Sequence, residues 1–168
     1  MVDELDIPPL LIAARRLRPF SEAKHLEIAE VSVDGREHLL IPEAAAAWRQ
    51  MKRAAAGDGI ALSIVSAYRS IQRQAEIVRR KLKAGKSLEQ ILAVSAPPGY
   101  SEHHSGRAVD LTTPQAPQLE SAFAETPAFE WLERRAHEFG FVLSYPAGNP
   151  EGYEFEPWHW CCHEPAPS

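Results

Sequence analysis

The chain has 168 residues, a formal net charge of −5 and an ordinary share of hydrophobic residues, which fits one globular domain rather than several. The mild negative charge argues against a nucleic-acid backbone or an anionic membrane as its main partner, and no apolar run approaches the roughly 18–20 residues that span a bilayer. Asp3, Glu4 and Asp6 stand where a positive leader region belongs, so a cytoplasmic protein is expected, the alternative being a periplasmic or cell-wall-associated one after processing or another export route.

The chain opens as an arm of sparse periodicity, with Pro8-Pro9 and then Arg15-Arg16-Leu17-Arg18-Pro19. Strands are predicted around Glu27–Val33 and Glu37–Ile41, joined at the turn signal Asp34-Gly35. Pro42 opens a helix from about Glu43 to Ala56, with Ala47, Trp48, Met51 and Ala55 on one stripe and Gly57-Asp58-Gly59 as its stop. Ile60–Val65 is short, apolar and β-branched, the pattern of a strand buried in a sheet. A helix from about Gln72 to Lys83 follows. Ser87 with Gln90 forms a capping box for a second, short helix through about Val94, which Pro97-Pro98-Gly99 ends.

Ala108, Val109 and Leu111 mark the next strand. Thr126 and Pro127, as N-cap and first helical residue, start a helix with Phe129, Leu132, Ala136 and Phe139 near one face and Gly140 at its close. Phe141–Tyr145 and Tyr153–Trp160 then read as two final strands. Mixed helix and strand with sequential last strands predicts a single α+β domain, a central antiparallel sheet with flanking helices. Residues 1–59 would be an arm, hairpin and helix packed on a core formed by 60–163. Cys161 and Cys162 are expected to be free thiols, because a disulfide between neighbours is strained.

Three separated segments put chemically able residues at the edges of predicted strands: Tyr68-Arg69-Ser70, Ser101–Asp110 and Glu156-Pro157-Trp158-His159. A catalytic zinc needs about three protein ligands and keeps a fourth position open. His103 or His104, with Asp110 and His159, meets that requirement. An ionised Asp110 flanked by apolar residues is costly unless paired or metal-bound. Glu156 stands three residues before His159 as a proton acceptor, and Pro157 argues against helical spacing, so the pair must meet on a turn, a bulge or an irregular strand. Plainer readings exist: a structural salt bridge at Asp110, an ordinary Glu156–His159 ion pair beside packed tryptophans, and an Arg69 that only neutralises a carboxylate. Trp158 and Trp160 read as core or pocket wall, and Gly106 as close backbone approach near the ligands or a simple turn. Spacing alone supports a metal site without naming a substrate.

SEHHSGRAVD, Ser101 to Asp110, resembles the Ser-x-His-x-x-Gly-x-Ala-x-Asp motif of the VanY-type D-alanyl-D-alanine carboxypeptidases, within the lysostaphin and D-Ala-D-Ala zinc metallopeptidase group. Ser66-Ala67-Tyr68-Arg69-Ser70 with Gln74, Pro98-Gly99-Tyr100, and Glu156-Pro157-Trp158-His159 are similar to that family's other marks, in the same order, over roughly Ile60 to Trp160. The resemblance implies one zinc ion per chain at the sheet, held by His103 rather than His104, with Asp110 and His159. It implies Glu156 as general base, Arg69 as stabiliser of the oxyanion, and Ser101, Tyr68, Gln74 and Trp158 as substrate contacts.

The activity implied is removal of the terminal D-alanine from peptidoglycan stem peptides or muropeptides. An L,D-carboxypeptidase, an L-alanyl-D-glutamate endopeptidase or a D-Ala-D-Ala dipeptidase would use the same site. A non-catalytic zinc-containing binding domain, as in Hedgehog signalling domains, would use the same fold, but Glu156 and Arg69, needed for turnover rather than metal binding, argue against it. One departure stands out. After His159 the chain reads Trp160-Cys161-Cys162-His163, where a further apolar strand is expected, and these zinc-capable residues raise a second or misplaced metal as the alternative.

Overall fold

The structure is a computed structural model that describes residues 5–163; Asp3 and Glu4, on which the expected location partly rests, lie outside that range. Among the described residues no helix is long and apolar enough to cross a membrane. A short helix α1 (Pro9–Ala14) stands where the sparse arm is read. Strands β1 (Glu27–Val31) and β2 (Glu37–Leu40) pair antiparallel as a sheet of two strands. Their loop is longer than a two-residue turn: Ser32 N–H donates to Arg36 O, Gly35 N–H donates to Ser32 O, and Gly35 takes a left-handed φ of 82°.

Helix α2 (Pro42–Gly57) has proline at its start as predicted, and Ala44, Ala45, Trp48, Met51 and Ala55 form its buried stripe. Burial of each large side chain of this kind contributes roughly 1.5–3 kcal/mol relative to exposure. Glu30 ties three elements together: its carboxylate accepts from Trp48 Nε1 at 3.1 Å, Lys52 Nζ at 2.8 Å and Ile64 N–H at 3.0 Å.

The central sheet has four strands in the order β3 (Ser63–Ser66), β4 (Ala108–Thr112), β6 (His159–Cys162), β5 (Phe141–Leu143), every pair antiparallel. Val109, Leu111, Trp160 and Cys162 share the core face with α2 and with α5 (Pro127–Arg135). Thr126 caps α5 through Phe129 N–H, and the chain continues in a 3-10 turn to Gly140, again left-handed. The predicted α+β domain with an antiparallel sheet and helices is therefore present.

Two strand starts differ from expectation. β3 starts at Ser63 rather than Ile60, because Ile60 N–H is taken by Ala55 O at the end of α2. The last strand starts at His159 rather than Tyr153: Pro157 has no N–H, Glu154 N–H goes to Ala93 O, and Glu156 N–H to Tyr145 O, so residues 153–157 build no ladder and only the Trp158 carbonyl reaches β4, at Leu111 N–H. Trp160-Cys161-Cys162 is itself the apolar strand expected further on.

Helices α3 (Ile71–Lys83) and α4 (Leu88–Leu92) form a second small core with Leu5 and Ile7, and the Ser87–Gln90 capping box is present with both of its bonds. Arg15 clamps the arm to this region. Its guanidinium donates to Glu151 O at 2.7 Å and Leu92 O at 2.6 Å and lies 4.6 Å from the Tyr153 ring centre.

Candidate metal and catalytic site

Sheet register brings distant residues into one row. Ser66 lies opposite Asp110, and Asp110 opposite His159, across three neighbouring strands. The alternation of β4 and β6 turns Asp110 and His159 away from the core face that holds Val109, Leu111 and Trp160. Ser66 reaches the same row through a register shift after Ile64, a bulge that re-aims the strand end.

The opening motif folds as a 3-10 turn, Glu102–Ser105, that the sequence reading did not foresee. Ser101 Oγ accepts from His103 N–H at its start, and Gly106 closes it at a left-handed φ of 69°. A Cβ on Gly106 would stand 2.9 Å from Ile41 Cγ2 and 3.1 Å from Ala23 Cβ, so the close approach inferred from Gly106 is to the N-terminal segment and not to the ligands.

The two histidines of this turn have different surroundings. His103 Nδ1 donates to Ala67 O at 2.7 Å, which fixes the tautomer and leaves the Nε2 lone pair facing Asp110 Oδ2 at 3.1 Å. His104 Nδ1 donates to Arg69 O at 2.6 Å, and its Nε2 accepts from Gly99 N–H at 3.1 Å. Both His104 nitrogens are therefore used by backbone, and neither can hold a metal.

His103, Asp110 and His159, all buried, offer ligand atoms that lie within 4.8 Å of one another. Among the described residues no other set of three or more His, Cys, Asp or Glu side chains is close enough to share an ion, so Cys161, Cys162 and His163 form no second metal cluster; both cysteines are free and buried. The His103–Asp110 contact of 3.1 Å and the His159 Nδ1–Asp110 Oδ1 contact of 3.0 Å approach the roughly 3.3 Å edge of a tetrahedron with zinc–ligand bonds near 2.0–2.1 Å. Charge also favours a cation. Although burial lowers the basicity of His159, its bonds to Asp110 and Glu102 outweigh that and raise its pKa to about 10. Burial likewise opposes ionisation of Asp110, yet His103 and His159 hold it well below the usual carboxylate range. Two imidazoles and one carboxylate fit a zinc ion, which would take the place of the proton that His159 otherwise shares with Asp110.

Glu102 is a site residue that the sequence reading missed, since it occupied a variable position of the motif. Its Oε2 takes His159 Nε2 at 2.9 Å and Ser144 Oγ at 2.6 Å. Burial raises its pKa, but these partners prevail and bring it to about 2. With Nε2 held by Glu102, His159 turns Nδ1 to the metal position, the arrangement in which a carboxylate orients a ligand imidazole. Glu102→Ala is expected to weaken zinc binding about 10- to 100-fold, measured by competition with a chromogenic chelator; unchanged affinity would remove Glu102 from the site. An acidic residue beside a ligand is the one signal the sequence offers for it.

Arg69 and Glu156 flank the triad. Arg69 Nη2 donates to Ser66 Oγ at 2.9 Å and lies 3.7 Å from Asp110 Oδ2, while Nη1 donates to Gln74 Oε1 at 2.7 Å. Glu156 Oε2 is 3.8 Å from His159 Nδ1, and His159 N–H returns to Glu156 O across the Pro157-Trp158 turn. Burial pushes the Glu156 carboxyl up to about 7, against the pull of His159 and Arg69.

A cavity of about 550 Å³ opens over these groups, lined by Arg69, Gln74, Ser101, His103, Asp110, Glu156, Trp158 and His159 among others. Tyr68 is not among its lining residues; its backbone N–H donates to Leu39 O at 2.9 Å. Tyr145 and Tyr153, stacked edge to face at 4.8 Å, supply a wall that the sequence reading did not name.

The profile described as D-alanyl-D-alanine carboxypeptidase, VanY, matches residues 37–164. The chain belongs to the VanY family. The chain is similar to the Bacillus subtilis (strain 168) protein YodJ, which carries a carboxypeptidase name and is 36% identical over 122 residues, 70% of this chain and 44% of that protein. A D-alanyl-D-alanine carboxypeptidase of Enterococcus faecalis is 33% identical over 117 residues, 64% of this chain and 42% of that one. The chain thus spans less than half the length of these curated relatives. Among solved structures, the LD-carboxypeptidase LdcB superposes with a TM-score of 0.74 at 32% identity, over 84% of this chain and 69% of that one. A vancomycin-resistance D,D-pentapeptidase VanY mutant in complex with Zn(II) gives 0.66 at 26% identity, over 87% and 82%.

Proposed function

We propose that the chain is a zinc-dependent carboxypeptidase that removes the terminal D-alanine from peptidoglycan stem peptides. The observation that carries this reading is the meeting, in one cavity, of the His103, Asp110 and His159 ligand set with a proton acceptor at Glu156 and a cation at Arg69. One ion per chain would be held by His103 Nε2, Asp110 and His159 Nδ1. Zinc bound there supplies a Lewis acid and lowers the pKa of a coordinated water to about 7.

Glu156, buried and with a carboxyl near neutrality, takes a proton from the attacking water and returns it to the leaving amine as the peptide C–N bond breaks. Arg69, oriented by Ser66 and Gln74, faces the negative charge that develops on the former carbonyl oxygen. Ser101 anchors the turn that carries His103 and lines the cavity, and Trp158 forms part of its wall.

The similarity to LdcB supports an L,D-carboxypeptidase as the second reading. Incubating the zinc-loaded protein with a muropeptide pentapeptide and a tetrapeptide, with and without chelator, separates the two by product mass. Chelator-sensitive loss of one alanine from the pentapeptide is the expected result. Loss from the tetrapeptide alone assigns the L,D reaction, and no cleavage of either by zinc-loaded protein overturns the carboxypeptidase reading.

A further inference from the structure

The cavity holds a second cation that the chemistry above leaves unused. Helix α3 lines it with Gln74, Ile77 and Lys81, positions that share one helical face. Gln74 and Lys81 are about two turns apart, roughly 10 Å along the axis, and helical side chains lean toward the N-terminus, which brings the ammonium back toward the metal ligands. Lys81 Nζ donates to Ser95 Oγ at 2.5 Å. The next residue, Ala96, accepts Gln74 Nε2 on its carbonyl at 2.7 Å, and Gln74 Oε1 accepts from Arg69. Arg69, Gln74 and Lys81 thus form one polar line along the cavity wall.

Lys81 differs from Arg69 in having no counter-ion. Among the described residues no carboxylate lies within ion-pair distance of its ammonium, whereas Arg69 has Asp110. The side chain is half-buried, and burial, followed by the neighbouring cations Lys86 and Arg69, lowers its pKa despite the pull of Glu156. Glu120 and Glu154, the remaining acidic residues of the lining, are exposed. A partly desolvated ammonium that faces a cleft without a protein counter-ion is matched to an anionic ligand group.

We propose that Lys81 anchors a carboxylate of the bound peptide and so selects peptides with a free carboxylate within about three residues of the cleaved bond, given roughly 3.3–3.6 Å per extended residue. This rests on the carboxypeptidase reading. The carboxylate has two possible sources, the terminal one of the leaving residue or an acidic side chain inside the stem, such as diaminopimelate in place of lysine.

The test is steady-state kinetics of the zinc-loaded full chain on four peptides: a pentapeptide with lysine or with diaminopimelate at its third position, each as free acid and as C-terminal amide. Lys81→Met is expected to raise KM about ten- to hundredfold on the matching peptide with kcat within about threefold, the pattern of lost substrate binding and the scale of a lost charge-assisted hydrogen bond. Lys81→Arg recovers most of the affinity. Lys86→Met, which removes an exposed neighbouring charge outside the cavity lining, changes neither constant. A penalty that disappears on the amides identifies the terminal carboxylate, and one that disappears on the lysine peptides identifies the side chain. An equal penalty on all four, or none on any, overturns the anchor while leaving the peptidase reading intact. Failure of the unmutated chain to cleave any of the four overturns both.

Discussion

Glu156→Gln is expected to keep zinc bound and to lower kcat about 10²- to 10⁴-fold, the contribution of a positioned general base. Glutamine keeps the size of the side chain and its place on the Pro157-Trp158 turn but cannot accept a proton. The ligand set of His103, Asp110 and His159 is untouched. Folding provides a second check. The Glu156 carboxyl is raised from its ordinary value to about 7, so the folded, metal-free chain binds more protons than the unfolded one between about pH 4.5 and 7, and this group's contribution to stability falls as pH rises through that window. A neutral glutamine removes that loss, so the variant unfolds at or above the parent's temperature at pH 7–8. Zinc content, product formation and thermal melting measured together decide the matter. Near-native turnover removes Glu156 from the chemistry, and loss of zinc makes its role one of metal binding.

His103→Ala and His104→Ala are expected to fail in opposite ways. Loss of His103 removes a ligand, and zinc affinity falls by more than the roughly 10- to 100-fold that the partners of a ligand carry. Loss of His104 leaves the ligands in place but orphans Gly99 N–H and Arg69 O in a fully buried position. Unpaired buried groups cost about 1–3 kcal/mol each and the cavity adds to that, so a cost of at least roughly 2–6 kcal/mol and a melting temperature lower by roughly 4–24 °C follow. Chelator competition and melting curves on both variants distinguish the two roles. Zinc lost in His104→Ala and kept in His103→Ala would reverse the ligand choice.

Much of this arrangement was legible in local sequence. Pro42, Thr126-Pro127 and the Ser87–Gln90 box mark helix starts because capping chemistry involves residues only a few positions apart. The three polar segments that meet at the cavity also stood out, since each interrupts an apolar stretch. The missed features depend on partners far along the chain. Nothing near Glu102 says that it will meet His159, 57 residues later. Residues 153–158 look like a strand, yet their backbone donors go to Ala93 and Tyr145 rather than to a ladder. Tyr68 belongs to a recognisable motif, but it does not line the cavity that its neighbour Arg69 faces. The shift that aligns Ser66 with Asp110 is likewise a property of pairing, invisible in either strand alone.

The row Ser66, Asp110, His159 also couples metal binding to the closure of the sheet. Its ligands come from β4, from β6 and from the turn preceding β4, and Asp110 meets His159 only after a loop of 49 residues has closed. A nascent chain that has paired β3 with β4 holds two of the three ligands and no more. Because the third ligand comes from β6, an ion that binds all three residues and not the open states stabilises the sheet with β6 paired over states in which it is not.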